Sequence, residues 1–507
     1  MGNTRRDFLQ KVSVASSGLI IRPEQAFNFS VGKESQKKEL FAGIQLGTHS
    51  LLDEGIEWVL DLMQEKGNIN TLITYSHSYY GAFNRSKEVL ADHGKGIRSF
   101  KGRNLPKVWV RHREEFFKGL LLKHQKPDPK FEYYDRDVFA EIRKPLDERN
   151  MKVYFRLFEP WAKDGVGRIE NYEKVLTRNI DGSLGRGPCW NHPDYRAWIY
   201  ATLQDVFTNY QIDGIQYGAE RVGPLSELIL KGEEPNCFCE FCLKKNMDQG
   251  IDPERAKMGF RDISKLMNDA EANNIPVDGV LISLMRIVFE YPEVISWENN
   301  FLDGGEQINK GIYETIKSID SSIQVGRHVD HQQTSWDPIY RAMVPYSKMA
   351  DHNDFIKPCL YHDILSIRLR HWVIERWHQF FGRDFSENQL LSGFYSMMKF
   401  PAEAQIPLDE LAANGMPAEY VASETKRCVA GVNGKAKTYV GVGFDVPWHI
   451  PGGHQDRFSD PDIIYRSTLA ALNSGADGVV ASRAYDEIEN ESLEAFGRAV
   501  SDFSNKN

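Results

Sequence analysis

The chain has 507 residues, 41% of them apolar and 12% aromatic, enough apolar surface for a large core and against intrinsic disorder. Its formal charge of −9, with no basic run, argues against a nucleic-acid partner, because phosphate binding needs clustered Lys and Arg. No apolar run is long enough to span a bilayer, so no transmembrane segment is expected.

The first residues, Thr4-Arg5-Arg6-Asp7-Phe8-Leu9-Gln10-Lys11, precede a mildly apolar, Ser- and Gly-containing stretch from Val12 to Ile21. Adjacent arginines followed by Phe-Leu and a weakly apolar segment read as a twin-arginine export signal, which implies a periplasmic or extracellular location. A basic amphipathic helix is the alternative. Residues 1–35 are therefore set apart as signal and linker, and 36–507 are expected to fold as a single domain.

Short apolar runs recur from Leu40 onward, alternating with helical patterns or long polar insertions. They are Phe41–Gly47, Ile69–Tyr75, Met151–Leu157, Asp213–Tyr217, Ser322–His328, Asp354–Tyr361, Thr438–Asp445 and Asp477–Arg483. Helical patterns cover Glu54–Lys66, Pro193–Tyr210, Pro253–Asn273, Val277–Glu290 and Glu306–Ile319. Strand–helix alternation implies right-handed crossovers and parallel strands, and eight of them meet the count of a closed (β/α)8 TIM barrel. A doubly wound open sheet is the competing architecture, but no G-x-G-x-x-G follows an early strand. Insertions at about 77–141, 221–322 and 362–437 all follow strand C-termini, the face on which barrels build their sites.

The fourth run, Gln211-Ile-Asp-Gly-Ile-Gln-Tyr-Gly-Ala-Glu220, delivers a carboxylate just past a buried strand tip. It is bracketed by Cys189-Trp-Asn-His-Pro-Asp-Tyr-Arg196 and by Cys237-Phe-Cys-Glu-Phe-Cys242. Three thiolates spaced C-x-C-x-x-C let one tight loop wrap a tetrahedral ion, and Cys189 would complete a closed structural zinc site. Disulfides from Cys237 or Cys239 to Cys189 or Cys242 are the alternative. Export in the folded state, after metal loading in the cytosol, favours zinc. Cys359 and Cys428 read as buried thiols.

This constellation resembles the zinc-bearing β-galactosidases of glycoside hydrolase family 42 and related TIM-barrel glycosidases. The resemblance covers Cys189 to Cys242 and the barrel order. It implies Cys189, Cys237, Cys239 and Cys242 as zinc ligands and Glu220 as the acid/base. Ala219 stands where the family carries Asn, and Asp445 stands near the position of its nucleophilic Glu.

Glycoside hydrolysis needs two carboxyl groups flanking the scissile bond. Tips of the fourth and seventh strands face each other across a barrel mouth, which pairs Glu220 with Asp445, beside a Trp448 platform. An ion pair with Arg221 is the structural alternative for Glu220, and a cap that for Asp445. Glu159, Arg327, His328, Lys357, Tyr361 and Arg483 also belong to strand ends and are expected to bind substrate, with Arg327 or Arg483 forking onto a carboxylate or sulfate. Asp330, His331, Asp486 and Glu487 are further tip residues, as are His49 and His77. The spacing of His449, His454 and Asp456 fits no standard metal set. The expectation is an exported, retaining glycoside hydrolase acting on oligo- or polysaccharides. Its competitors are a catalytically silent carbohydrate-binding barrel and a uronic-acid lyase or epimerase using Tyr361 and His328.

Overall fold

The computed structural model describes residues 40–506 apart from 79–92, 94–104, 158, 219, 412, 445–458 and 484. Eight parallel strands close into one barrel. They are β1 (Phe41–Leu46), β2 (Thr71–Tyr75), β3 (Lys152–Leu157), β4 (Gly214–Tyr217), β5 (Gln324–Val329), β6 (Phe355–Leu360), β7 (Lys437–Val442) and β8 (Gly478–Ala481). Each pairs in parallel with its neighbours in chain order, and β8 closes onto β1 through Phe41 opposite Gly478.

The principal helices are α1 (Ile56–Gly67), α2 (Val138–Glu148), α3 (Pro193–Asn209), α4 (Pro253–Glu271), α5 (Gly279–Glu290), α6 (Glu293–Ile319), α7 (His362–Arg368), α8 (Ala418–Val432), α9 (Pro461–Asn473) and α10 (Asn490–Lys506). Their starts follow local chemistry. Proline stands at the first turn of α3, α4 and α9, where no amide hydrogen is needed. The Asp252 carboxylate accepts from the Glu254 amide at 2.9 Å, and Asp460 does the same for Asp462 at 2.9 Å. α1 stops at Asn68, which takes the left-handed conformation at φ 48°. None of the described helices is long and apolar enough to cross a membrane.

The barrel interior is layered, because alternate residues of every strand point inward. At the N-terminal end Phe41, Ile73, Tyr154, Phe355, Tyr439 and Val480 pack into an apolar floor. The Phe41 and Tyr439 rings stack with centroids 3.9 Å apart, and Phe355 lies 4.8 Å from Tyr439. Glycine makes the room: a Cβ on Gly326 would stand 2.1 Å from the Phe355 ring. Above this floor the interior turns polar, and the site begins there.

Candidate active site

Arg156, Gln216, His328, Lys357 and Ser482 come from β3, β4, β5, β6 and the end of β8, and Gln45 joins them from β1; all are buried. Gly441 on β7 leaves space for Lys357, since a Cβ there would stand 2.4 Å from its Cε. The Lys357 ammonium is fully buried and donates to Ser482 Oγ, to Tyr361 OH at 3.3 Å and to Cys359 Sγ at 3.3 Å. Burial pulls its pKa down to about 8, so it remains mostly protonated near neutrality. With its oxygen turned to Arg156 and its nitrogen to Ser482, the Gln45 amide joins the two cations of this layer. The Arg156 guanidinium also lies over the Tyr75 ring, 5.1 Å from its centroid.

Glu220 stands directly above. Its carboxylate is 3.3 Å from His328 Nε2 and its side chain is 44% exposed, whereas the His328 side chain is 2% exposed. Burial, then Lys357 and Arg156, hold the His328 pKa well below the usual range, so the ring is neutral. Gln216 Nε2 lies 3.4 Å from His328 Nδ1, which places the single ring proton on Nε2, facing Glu220. Gly218 lets the chain turn here, because a Cβ on it would stand 2.5 Å from the His328 carbonyl oxygen.

Asp330, one residue past β5, shares this field. Its carboxyl is pushed up to about 6, by burial first and by the charge of Glu220 second, against the opposing pull of Arg368. A carboxyl that holds its proton more tightly folded than unfolded favours the fold below its unfolded value near 4 and loses that advantage as the pH rises through 6. Asp330→Asn is therefore expected to gain thermal stability over the parent as the pH is raised from 4 to 7. Parallel melting profiles across that range, measured by circular dichroism, would contradict it.

Several strand-end residues sit away from this cluster. Glu159 is buried and accepts from Trp190 Nε1 at 2.6 Å, Tyr217 OH at 3.4 Å and Arg221 Nη1 at 3.3 Å. It is a structural anchor, and Arg221 pairs with it instead of with Glu220. Arg327 is corrected by strand alternation: His328 points into the barrel, so its neighbour points out, where Arg327 Nη1 meets Glu306 Oε1 of α6 at 2.5 Å. His49 pairs with Asp486 at 3.2 Å, and His77 Nε2 lies 2.9 Å from His112 Nε2. Tyr361 OH lies 3.0 Å from Ser482 Oγ, within the cluster, and Arg483 follows β8. Asp445 and Trp448 lie outside the described residues, as do His449, His454 and Asp456.

Three participants escape a reading of strand tips alone. Arg156 is a charged residue inside the apolar run of β3, an anomaly visible in the sequence. Cys359 is a buried thiol 3.4 Å from His328 Nε2 rather than a packing residue. Arg368 ends α7, eight residues beyond β6, where a helix rather than a strand brings it into the field of Asp330 and Glu220.

The four cysteines also converge. The sulfurs of Cys189, Cys237, Cys239 and Cys242 lie within 4.8 Å of one another, all buried, and no disulfide joins them. Cys189 Sγ is 3.5 Å from Cys242 Sγ and 3.4 Å from Cys239 Sγ. N–H donors point at two of them: the Arg178 and Cys239 amides reach Cys237 Sγ at 3.4 Å each, and Asn191 Nδ2 reaches Cys242 Sγ at 3.3 Å. A tetrahedral thiolate site with metal–sulfur bonds of about 2.3 Å separates its sulfurs by roughly 3.8 Å, which this cluster accommodates.

No protein-family model matches the chain, and no curated protein matches it. Solved structures do. The β-galactosidase of the Antarctic haloarchaeon Halorubrum lacusprofundi aligns at 12% identity and TM-score 0.49, over 92% of this chain and 58% of that one. The PgaB glycoside hydrolase domain of Bordetella bronchiseptica aligns at 11% identity and TM-score 0.44, over 92% of this chain and 98% of that one. A class V chitinase from Pseudomonas fluorescens Pf-5 aligns at 9% identity and TM-score 0.40, over 91% of this chain and 100% of that one. The chain spans 55% to 59% of the length of the β-galactosidases it matches. Identities this low transfer no residue roles, so the functional reading rests on the site itself.

Proposed function

We propose that this chain is a glycoside hydrolase with Glu220 as its acid/base. The observation that carries the reading is a half-exposed carboxylate at the C-terminal mouth of a closed barrel, oriented by a neutral histidine above a buried polar layer. Glu220 gives its proton to the glycosidic oxygen as the bond from that oxygen to the anomeric carbon breaks. Asp445 follows β7, which is separated from β4 by β5 and β6 around the barrel. We assign it the attack on the anomeric carbon, forming a glycosyl ester. Water then attacks the same carbon, its proton passes to Glu220, and Asp445 is released. Hydrolysis with retained configuration is the expected result when the purified protein meets a panel of aryl glycosides and oligosaccharides, read by proton NMR of the first-formed anomer. Inverted product would remove the Asp445 role, and no hydrolysis of any member would end the proposal.

Zinc is the ion we assign to Cys189, Cys237, Cys239 and Cys242. Four thiolates leave no open position, so the ion would brace the loops rather than touch substrate. We further propose export through the Arg5-Arg6 segment. Replacing both arginines with lysine is expected to keep the protein in the cytoplasm, and unchanged secretion would refute that assignment.

A further inference from the structure

Among the described residues, cations gather in the field of Glu220 and Asp330. Arg156, Lys357, Arg368 and Arg483 are among them. Three of these groups have explained positions. Arg156 is bound by the Gln45 amide and the Tyr75 ring, Lys357 by Ser482, Tyr361 and Cys359, and Glu220 by His328. Arg368 does not. Its Nε is buried without a hydrogen-bond partner, and among the described residues its guanidinium makes no ion pair. Glu220 and Asp330 reach it only through the field they share, and Arg483 opposes its charge.

His331 is the second orphan. It is 2% exposed, and neither ring nitrogen has a partner. Its ring lies 5.5 Å from that of Tyr361, and it sits in the field of Arg368, Lys357 and Arg483. Burying the Arg368 Nε and both ring nitrogens of His331 without a protein partner costs stability. Both occur where the chain after β6 and β5 passes over the mouth: Arg368 at the end of α7, before a π-helical segment (Leu369–Trp377), and His331 before another (Gln332–Trp336). Such insertions often mark functional sites.

We propose that the mouth takes an anionic sugar, a uronate or a sulfate ester, whose negative group is held by Arg368 with His331 beside it. This rests on the glycoside-hydrolase reading of the same mouth and adds the substrate class. A planar fork of N–H donors suits the paired oxygens of a carboxylate or sulfate, whereas a neutral sugar hydroxyl offers one oxygen and no charge. Arg327, which with Arg483 was expected from the sequence to serve an anion, is engaged by Glu306 on the outside of the barrel.

The test is calorimetric binding to the intact protein. The probes are methyl glucuronide, methyl galacturonide and galactose 6-sulfate against methyl glucoside and methyl galactoside. At least one acidic probe is expected to bind tenfold or more tightly than its neutral counterpart, with the preference shrinking as salt is raised. A response confined to the uronates assigns a carboxylate, and one confined to the sulfated sugar assigns a sulfate ester. Arg368→Met is expected to cost at least about tenfold more affinity for the acidic probe than for its neutral counterpart, erasing the preference, and Arg368→Lys to keep part of it; the lysine variant decides the matter should the methionine variant fail to fold. Equal affinity for acidic and neutral probes, or a preference that survives at position 368, would overturn the inference. Hydrolysis of neutral glycosides without binding of any acidic probe would sink this inference and leave the hydrolase reading standing. Binding of acidic probes with no hydrolysis of anything would do the reverse.

Discussion

Glu220→Gln is expected to lower turnover of an aryl glycoside with a poor leaving group by about 10²–10⁴-fold, the usual worth of a positioned general acid. The amide keeps the size of the side chain and its acceptor toward His328 Nε2, so the fold and the sugar affinity should survive. A good leaving group needs less protonation, so the loss should be smaller for a dinitrophenyl than for a methyl glycoside. That gradient separates a proton donor from a residue that merely shapes the pocket. A silent sugar-binding barrel would show no turnover to lose and unchanged affinity. Full activity in the glutamine variant would remove Glu220 from the chemistry.

The second large effect concerns the thiols. Purified protein is expected to contain one zinc per chain, and in denaturant without reductant all six cysteines should titrate. Disulfides within the cluster would instead leave as few as two reactive thiols, those of Cys359 and Cys428. Cys239→Ser should abolish zinc binding and lower the melting temperature on the order of 5 °C, a few kcal/mol for a domain this large. Activity should fall as well, because the cluster is wired to the loop that carries Glu220. Cys189 precedes Trp190, Trp190 and Arg221 both hold Glu159, and Arg221 adjoins Glu220. A variant without zinc that melts and turns over like the parent would show that the cluster binds no structural ion.

All eight barrel strands are legible in the sequence because each is a short apolar run buried on both faces and bounded by polar residues or glycine. Their ends differ by a residue or two for most, as hydrogen-bond pairing trims the apolar run: Met151–Leu157 becomes Lys152–Leu157, and the seventh stops at Val442 rather than reaching Asp445. α6 begins at Glu293 rather than Glu306. Gly304 and Gly305 look like a helix break, yet a Cβ on either would stand 2.9 Å from Asn191 or 2.8 Å from Trp190, so they serve close packing against the Cys189 loop. The site was less legible, for two reasons. Residues sharing a strand end can point to opposite faces, which separates His328 from Arg327. Others reach the mouth from a helix whose approach is set by tertiary packing, and Arg368 is the case in point.

The stacked aromatic floor has a consequence for how anything enters or leaves. With Phe41, Tyr154, Phe355 and Tyr439 closing the lower end, the shaft is a blind well. Water, protons and reagents reach Lys357 and Cys359 from above only. A saccharide bound at the rim, as proposed, would act as a stopper, and labelling of that thiol by a small alkylating agent should then slow in proportion to occupancy.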